Sequence, residues 1–323
     1  MQDASIDASL APDGSDRRTD GGASADANDS GAEATFADGL GFTSDFRSYL
    51  TAKGMGAVLR SDLAGVPGYG GRTSPAEAIA KEPVIFVHGN SDRAIGGSLG
   101  GWDASIRAFL AAGYRSRELY ALTWGPADST QAASQYHSRA HVMLVRQFVE
   151  AVLGYTGASN VDIVAHSMGV TLARKAVLGG SANDALGGGA YDVGAPLTNR
   201  VDTFFGIAGA NLGLSSCYFT GPGTPACGAT NGFYPGVLSG GNVVGMSQFL
   251  TDLGTTAHFE GAHVFSLWSS KDEILGPGTL VYGRPTATIP GEDGVFRKDT
   301  LGHMDCKNAT SAAQVRIVTV QSE

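Results

Sequence analysis

A serine flanked by small residues follows directly on a β-branched apolar run in the middle of the chain. The run spans residues 161–166 (VDIVAH), and Ser167-Met168-Gly169 comes next. A strained turn from strand to helix can lift a serine above a sheet edge if the residues two before and two after it are small. Ala165 and Gly169 meet that requirement, so the stretch predicts a nucleophile elbow at Ser167. The alternative is a core strand followed by an ordinary serine helix cap.

The histidines after Ser167 are the candidates for the base that must accept the serine proton. On an α/β sheet the partners of such a serine follow it in the order acid, then histidine. His303 lies in a polar segment before the last predicted element and is the preferred base. His258 falls in an irregular segment, and His263 lies at the wrong end of a predicted strand.

A carboxylate must hold that histidine in the correct tautomer. Asp272 comes three residues after the predicted strand 264–269, where the carboxyl end of a strand delivers side chains to the site. Asp272 is therefore the predicted acid. Glu273, Asp299 and Asp305 are competitors, interpreted as solvated loop charges.

Two backbone N–H groups are expected to stabilise the oxyanion that forms when an ester carbonyl is attacked. Met168 supplies one because it follows the nucleophile. His88-Gly89-Asn90, at the end of the first firm strand, places the N–H of Asn90 as the second. The rings of His88 and His166 are interpreted as structural.

Predicted strands alternate with predicted helices along most of the chain. The strands are 83–88, 118–124, 161–166, 201–208 and 264–269, and the helices are 105–113, 130–153, 168–178 and 311–320, the last with Asn308 as its cap. This alternation predicts a doubly wound, mainly parallel α/β sheet, and the elbow makes it an α/β-hydrolase fold.

Residues 211–263 interrupt this pattern with glycines, prolines and one short predicted helix, 246–253. Such a segment inside a compact domain is expected to be a lid or a binding loop. It offers apolar side chains for contact with an apolar substrate: Phe219, Phe233, Tyr234, Leu238, Met246, Phe249 and Leu250.

Charge is distributed unevenly along the 323 residues, whose formal net charge is -9. Residues 1–35 are acidic and lack aromatics, so we expect a disordered tail before a single domain at 36–323. No basic cluster indicates nucleic-acid binding, and no apolar run is long enough to cross a bilayer. A solvated tail after Met1 resembles a mature exported protein, secreted or tethered at the cell surface.

Cys217 and Cys227 bracket a loop rich in glycine and proline, which suits a disulfide in an oxidising compartment. Two unrelated thiols are the alternative, and Cys306 is left unpaired. His137 and His141 share one face of the predicted helix 130–153, but no third ligand accompanies them. We therefore expect no metal site and no cofactor.

Several of these motifs together resemble the class 2 bacterial lipases, and among them the extracellular polyhydroxybutyrate depolymerases that attack amorphous polymer. The motifs are residues 86–90 (FVHGN), 161–169 (VDIVAHSMG), 207–213 (IAGANLG) with the two cysteines, and 302–303 (GH). The resemblance implies Ser167, Asp272 and His303 as a triad, Asn90 and Met168 as oxyanion donors, and the Cys217–Cys227 disulfide.

The predicted function is a secreted serine carboxylic-ester hydrolase, a triacylglycerol lipase or carboxylesterase that acts on apolar esters through an acyl-enzyme. A polyhydroxybutyrate depolymerase, with a polyester substrate, is the alternative. A non-catalytic binding module with the same fold is a more remote one.

Overall fold

A seven-stranded sheet forms the centre of residues 41–323, the part of the chain that the computed structural model describes; the tail predicted for residues 1–35 lies outside it. The strands, in chain order β1 to β13, are Gly68–Tyr69, Val84–Val87, Leu119–Leu122, Val161–His166, Ser181–Asp184, Gly189–Asp192, Val201–Ile207, Val237–Ser239, Asn242–Val244, His263–Ser269, Leu280–Val281, Arg284–Pro285 and Gly294–Lys298. The central sheet has the order β1-β3-β2-β4-β7-β10-β13. β1 is antiparallel to β3, and the other neighbouring pairs in this sheet are parallel. The mainly parallel α/β sheet is confirmed.

Helices pack along this sheet in two groups. In chain order, α1 to α8 are Ser44–Ala52, Asp103–Ala111, Arg139–Thr156, Met168–Leu178, Ser215–Thr220, Gln248–Leu253, His303–Asn308 and Ser311–Val320. α3 packs on α4, whereas α2 packs on α7 and α8. None of the helices in residues 41–323 is long and apolar enough to span a membrane.

The chain changes its direction of travel across the sheet between β2 and β4. From β2 it crosses to β3 on one side, then returns past β2 to β4 and continues outward through β7 and β10. Because parallel crossovers are right-handed, a reversal of direction puts the connecting helices on opposite faces and opens a crevice at the carboxyl ends of the two strands. In this chain β2 ends before His88-Gly89-Asn90, and β4 ends before Ser167.

The helix predicted over 130–153 begins and ends later than expected. Residues 129–134 form a 3₁₀ turn, and α3 starts only after Ser138, whose side chain accepts a hydrogen bond from the N–H of His141 at 3.1 Å. Gly157, with φ 71°, ends the helix in place of the predicted Gly154. His137 therefore precedes α3 and does not share a helical face with His141.

Residues 211–263 are tied to α4 by a buried ion pair. Arg174 donates through Nε to Glu260 at 2.7 Å, and through its other nitrogens to Asn211 Oδ1 and the carbonyl of Leu253, both at 2.9 Å. The guanidinium thus joins both ends of this segment to the helix that follows Ser167. Charged groups this deeply buried persist only when they are paired, as they are here.

The end of the chain forms two short helices. α8 occupies the predicted range 311–320, but Thr310 stands at its N-cap and the predicted cap, Asn308, is the last residue of α7. His303 was predicted in a loop and instead begins α7. A six-residue helix has too few apolar positions for its period to be recognised in a sequence.

Three carboxylates meet at the opposite edge of the sheet, where β2, β4 and β7 begin. One oxygen each of Glu82, Asp162 and Asp202 lies within 4.8 Å of the others. Burial, with the charge of Asp202, raises the pKa of Glu82 to about 7. Burial, with the charge of Glu82, raises the pKa of Asp162 well above its ordinary value. Ionisation of Glu82 and of Asp162 therefore opposes folding.

Replacing Glu82 by Gln should stabilise the protein only at higher pH. Between about pH 4.5 and 7 the folded state holds a proton that the unfolded chain has released, so stability falls as pH rises through this window. Thermal unfolding of E82Q should show a gain of about 2 °C at pH 8 and none at pH 4. E77Q is the control, because hydrogen bonds from Thr73 lower the pKa of Glu77 and no gain is expected. An equal gain at both pH values would contradict the coupling.

Candidate active site

Ser167 occupies a strained turn between β4 and α4. Its backbone has φ 54° and ψ -128°, a conformation that costs a non-glycine residue about 1–3 kcal/mol. Its N–H donates to the carbonyl of Ile207 in β7 at 2.8 Å, which anchors the turn to the neighbouring strand. The side chain is half-buried. This is the local geometry of the predicted elbow.

Two glycines allow the turn to approach the neighbouring strand. A Cβ atom on Gly169 would lie 2.3 Å from the carbonyl oxygen of His88 and 2.4 Å from that of Val87. One on Gly89 would lie 2.8 Å from Cβ of Ser167. All three distances are shorter than the contacts that real Cβ atoms make, so the start of α4 and the turn after β2 pack together without side chains at these two positions. The turn that carries Asn90 therefore lies directly beside Ser167.

Asp272 and His303 form a buried hydrogen-bonded pair. Oδ2 of Asp272 lies 2.8 Å from Nδ1 of His303, and the two residues are 2% and 5% exposed. Oδ1 of Asp272 accepts from the N–H groups of Ile274 at 3.0 Å and Leu275 at 2.9 Å. Since a carboxylate only accepts, His303 carries its proton on Nδ1, and its Nε2 is left as an acceptor, which the predicted role as a base requires.

His303 is held beside the residue that precedes Ser167 by contacts around its own backbone. Nε2 of His166, the residue before Ser167, lies 3.1 Å from the carbonyl oxygen of His303, and the two rings are 4.6 Å apart. The N–H of His303 donates to Oε2 of Glu273 at 3.0 Å. Glu273 was predicted to be a solvated loop charge. Glu273 directly follows Asp272 in the sequence, and this adjacency was the one sign that Glu273 could also contact His303.

The turn after β2 is held by side chains on both sides. Asn90 donates through its side chain to the carbonyl of Ala132 at 2.9 Å. The ring of His88 stacks on the ring of Trp124, with 5.1 Å between centroids. Its Nε2 accepts a hydrogen bond from the backbone N–H of Trp124 at 3.1 Å. Burial lowers the pKa of His88 to about 4, so the ring stays neutral. It acts as a support for the turn.

A buried ion pair joins this turn to the helix of the base. Nζ of Lys307 lies 2.7 Å from Oδ2 of Asp92, and both side chains are at most 1% exposed. Oδ1 of Asp92 accepts from the N–H groups of Arg93 at 2.9 Å and Gly101 at 3.2 Å. Asp92 is two residues after Asn90, and Lys307 is four after His303. The ion pair therefore fixes the position of the predicted oxyanion turn relative to the predicted base. Sequence reasoning did not identify it.

The chain matches the profile of the class 2 lipases, described as Lipase (class 2), over residues 81–316. This range begins just before β2 and ends in α8, so it includes the elbow, the acid–base pair and the turn after β2. The chain belongs to the class 2 lipase family. The predicted resemblance to that family is confirmed, while the narrower resemblance to polyhydroxybutyrate depolymerases is not shown.

Solved structures of lipases are similar to this class 2 lipase in fold. Lipase B of Aspergillus fumigatus is 14% identical with a TM-score of 0.51, and the match covers 77% of this chain and 55% of that one. The propeptide form of Bacillus licheniformis lipase BlEst2 is 15% identical with a TM-score of 0.48, covering 80% of this chain and 55% of that one. The chain thus spans about half the length of these two structures. At these identities the likeness concerns the fold, and the α/β-hydrolase prediction is confirmed.

The two histidines considered for a metal do not form a site in this class 2 lipase. His137 uses both ring nitrogens, Nδ1 at 2.7 Å from the carbonyl oxygen of Asn231 and Nε2 at 2.7 Å from Oγ1 of Thr171. Its ring stacks on Phe249 with 4.1 Å between centroids. Burial lowers its pKa to about 3, so it stays neutral. His137 is a core residue.

The cysteines are paired as the sequence predicts. Cys217 and Cys227 form a disulfide whose Cα atoms are 5.1 Å apart, and Cys306 is a buried free thiol on α7. Burial raises the pKa of Cys306 to about 12, so the thiol remains protonated and is a poor nucleophile. The disulfide closes the turn between α5 and the following 3₁₀ segment.

Replacing Gly89 by Ala should impair the site more than the fold. The new Cβ would meet Cβ of Ser167 at 2.8 Å and Nδ1 of His166 at 3.0 Å, so the elbow or the turn must shift. Because displacements near 1 Å cost about 10²-fold in rate, kcat/KM on p-nitrophenyl butyrate should fall at least tenfold. G56A is the control, since Gly56 has open space around it and no left-handed φ. Wild-type kcat/KM in G89A would contradict the close approach.

Proposed function

We propose that this class 2 lipase is a serine carboxylic-ester hydrolase with Ser167 as nucleophile, His303 as general base and Asp272 as the acid that orients it. The observation that carries the proposal is the buried Asp272–His303 hydrogen bond at 2.8 Å, held against the residue preceding a serine with the backbone of a nucleophile elbow. The order serine, acid, histidine along the chain is the order of α/β-hydrolases.

The reaction follows from these assignments. Nε2 of His303 takes the hydroxyl proton as Oγ of Ser167 attacks the ester carbonyl carbon, and the N–H groups of Asn90 and Met168 receive the resulting oxyanion. His303 then passes its proton to the alkoxy oxygen as the bond between that oxygen and the carbonyl carbon breaks, so that the alcohol leaves and the acyl group stays on Ser167. Water adds to the acyl carbon while His303 takes one of its protons. Collapse releases the carboxylic acid and returns the proton to Ser167.

An apolar ester is the proposed substrate class, supported by exposed side chains next to the loop of the acid. Tyr218 and Phe219 of α5 are 46% and 81% exposed, and the ring of Tyr218 lies 6.0 Å from that of Tyr282. α5 itself meets the acid loop, because Oγ of Ser215 donates to the carbonyl of Leu275 at 3.3 Å. We call the exposed apolar residues of α5, of the β8–β9 hairpin and of residues 274–280 the acid-side apolar surface: Tyr218, Phe219, Val237, Leu238, Val243, Val244, Ile274 and Leu280.

The residues of this surface are only partly those that the sequence predicts to contact an apolar substrate. Of the apolar residues expected to face substrate, Phe233, Phe249 and Leu250 are buried, and Phe219 and Leu238 are exposed. Phe233 and Phe249 instead pack around His137. The role of residues 211–263 as a lid or binding segment remains a proposal, supported by the surface that α5 and the β8–β9 hairpin present.

An extracytoplasmic location is also part of the proposal. It is supported by the Cys217–Cys227 disulfide, since such bonds persist mainly in oxidising compartments.

Replacing Ser167 by Ala should abolish ester hydrolysis without changing the fold. We expect kcat on p-nitrophenyl butyrate to fall by at least about 10⁴-fold, because nucleophilic catalysis is lost. A fluorophosphonate probe should label the wild type and not S167A, and S61A, at an exposed serine, should behave as the wild type. Retained turnover in S167A would overturn the assignment. An unlabelled, inactive wild type would favour a non-catalytic binding module.

Polar substitutions in the acid-side apolar surface should separate aggregated from dissolved substrates. F219S/L238S is expected to lose at least fivefold activity on tributyrin emulsion and less than twofold on dissolved p-nitrophenyl acetate, because only the former presents an extended apolar surface. L186S, at another exposed leucine, is the matched control. Equal losses on both substrates would refute a role in surface contact. A parallel assay on amorphous polyhydroxybutyrate tests the polyester alternative.

A further inference from the structure

The main chain of His303 is held at both of its polar atoms by side chains from other segments. Its N–H donates to Oε2 of Glu273 at 3.0 Å, and its carbonyl oxygen lies 3.1 Å from Nε2 of His166. Its ring is held separately by Asp272 at 2.8 Å. Two of these three partners are sequence neighbours of the proposed catalytic residues: Glu273 follows the acid, and His166 precedes the nucleophile.

Glu273 supplies a helix cap that α7 cannot supply for itself. The first N–H groups of a helix have no partner within it, and a side chain at the N-cap usually accepts from them. Here the N-cap is Gly302, which has no side chain to offer. A Cβ atom on Gly302 would lie 3.0 Å from Oε2 of Glu273, so the glycine also leaves the space through which the carboxylate approaches.

His166 contributes a hydrogen-bond donor to the same residue. Burial holds the pKa of His166 well below its ordinary value, so the ring is neutral and carries one proton. The contact of Nε2 with a carbonyl oxygen puts that proton on Nε2. Nδ1 is buried without a hydrogen-bond partner among residues 41–323, which agrees with its being unprotonated.

We propose that Glu273 and His166 are positioning residues that fix the backbone of the base in the proposed reaction. A hydrogen bond to Asp272 orients the imidazole about its own side-chain bonds, but it does not fix the Cα from which that side chain extends. The Glu273 and His166 contacts fix that origin relative to the acid loop and to the elbow. The inference rests on the proposed function, since it concerns how the base meets Ser167.

The sharpest test compares three variants of exposed carboxylates. E273A removes the acceptor, E273Q keeps an acceptor oxygen without the charge, and D299N removes an exposed carboxylate that is paired with Arg297. Because small displacements of a reacting group cost about 10²-fold, kcat of E273A on p-nitrophenyl butyrate should fall at least tenfold, with KM within twofold of the wild type. E273Q should keep at least a third of wild-type kcat, and D299N should be unchanged.

A second pair tests the other contact. Gln places its amide nitrogen near the position of a histidine Nε2, whereas the shorter Asn cannot reach the carbonyl of His303. H166Q should therefore retain kcat within threefold, and H166N should lose at least tenfold. Melting temperatures are measured for all variants, so that lost kcat is compared only among folded proteins.

The outcomes are distinguishable from failure of the proposed function. If the wild type is as inactive as S167A, the proposed function fails. If S167A alone is inactive while E273A and H166N keep wild-type kcat, the positioning inference fails and the triad stands. If E273Q loses as much kcat as E273A, the charge of Glu273 matters and not its hydrogen bond, which also overturns the inference.

Discussion

The backbone of β2 and the first turn of α4 lie so close together that no side chain fits between them, and the site depends on this contact. Gly169 faces two carbonyl oxygens at the end of β2, and Gly89 faces the side chain of Ser167. The contact sets the height of the elbow above the sheet and puts the turn bearing Asn90 beside it. It also occurs at the one place in the sheet where the chain reverses direction between neighbouring parallel strands.

Buried polar contacts hold the other segments of the site in position relative to this backbone contact. The Asp92–Lys307 ion pair joins the turn after β2 to α7, and the buried Arg174 joins α4 to both ends of residues 211–263. A buried ion pair gains little net stability over an apolar pair of the same shape, but a lone member is very costly. Such pairs therefore penalise displacement of the segments they connect. The buried ion pairs therefore determine the relative position of these segments more than they increase the free energy of unfolding.

The sequence predicted what depends on chain order and local pattern. Five of the six parallel strands, α4 and α8, the elbow at Ser167, and the pairing of Asp272 with His303 all follow from runs of apolar residues and from the order of the partners. The sixth parallel strand, β13, was missed. The start of α3 was missed because no Gly or Pro marks the break near His137. That break exists because the ring is buried against Phe249, which is distant in sequence.

The missed contacts of the site have two physical causes. Glu273 and His166 bind backbone atoms of His303, and backbone acceptors and donors are the same for every residue type, so they leave no trace in the sequence of the partner. Lys307 reaches the side chain of Asp92 across more than two hundred residues, and a pairing between such distant positions leaves no local pattern. Only the adjacency of Glu273 to Asp272, and of His166 to Ser167, was visible beforehand.

The short length of α7 explains why so many tertiary contacts converge on His303. Six residues are too few for a helix to be stable by itself, since nucleation is unfavourable and few bonds follow it. α7 is held instead by Glu273 at its start and by contacts near its end, where Nε2 of Gln314 donates to the carbonyl of Lys307 at 2.8 Å. The backbone of His303 is therefore ordered by side chains from other segments of the chain, and not by the short helix itself.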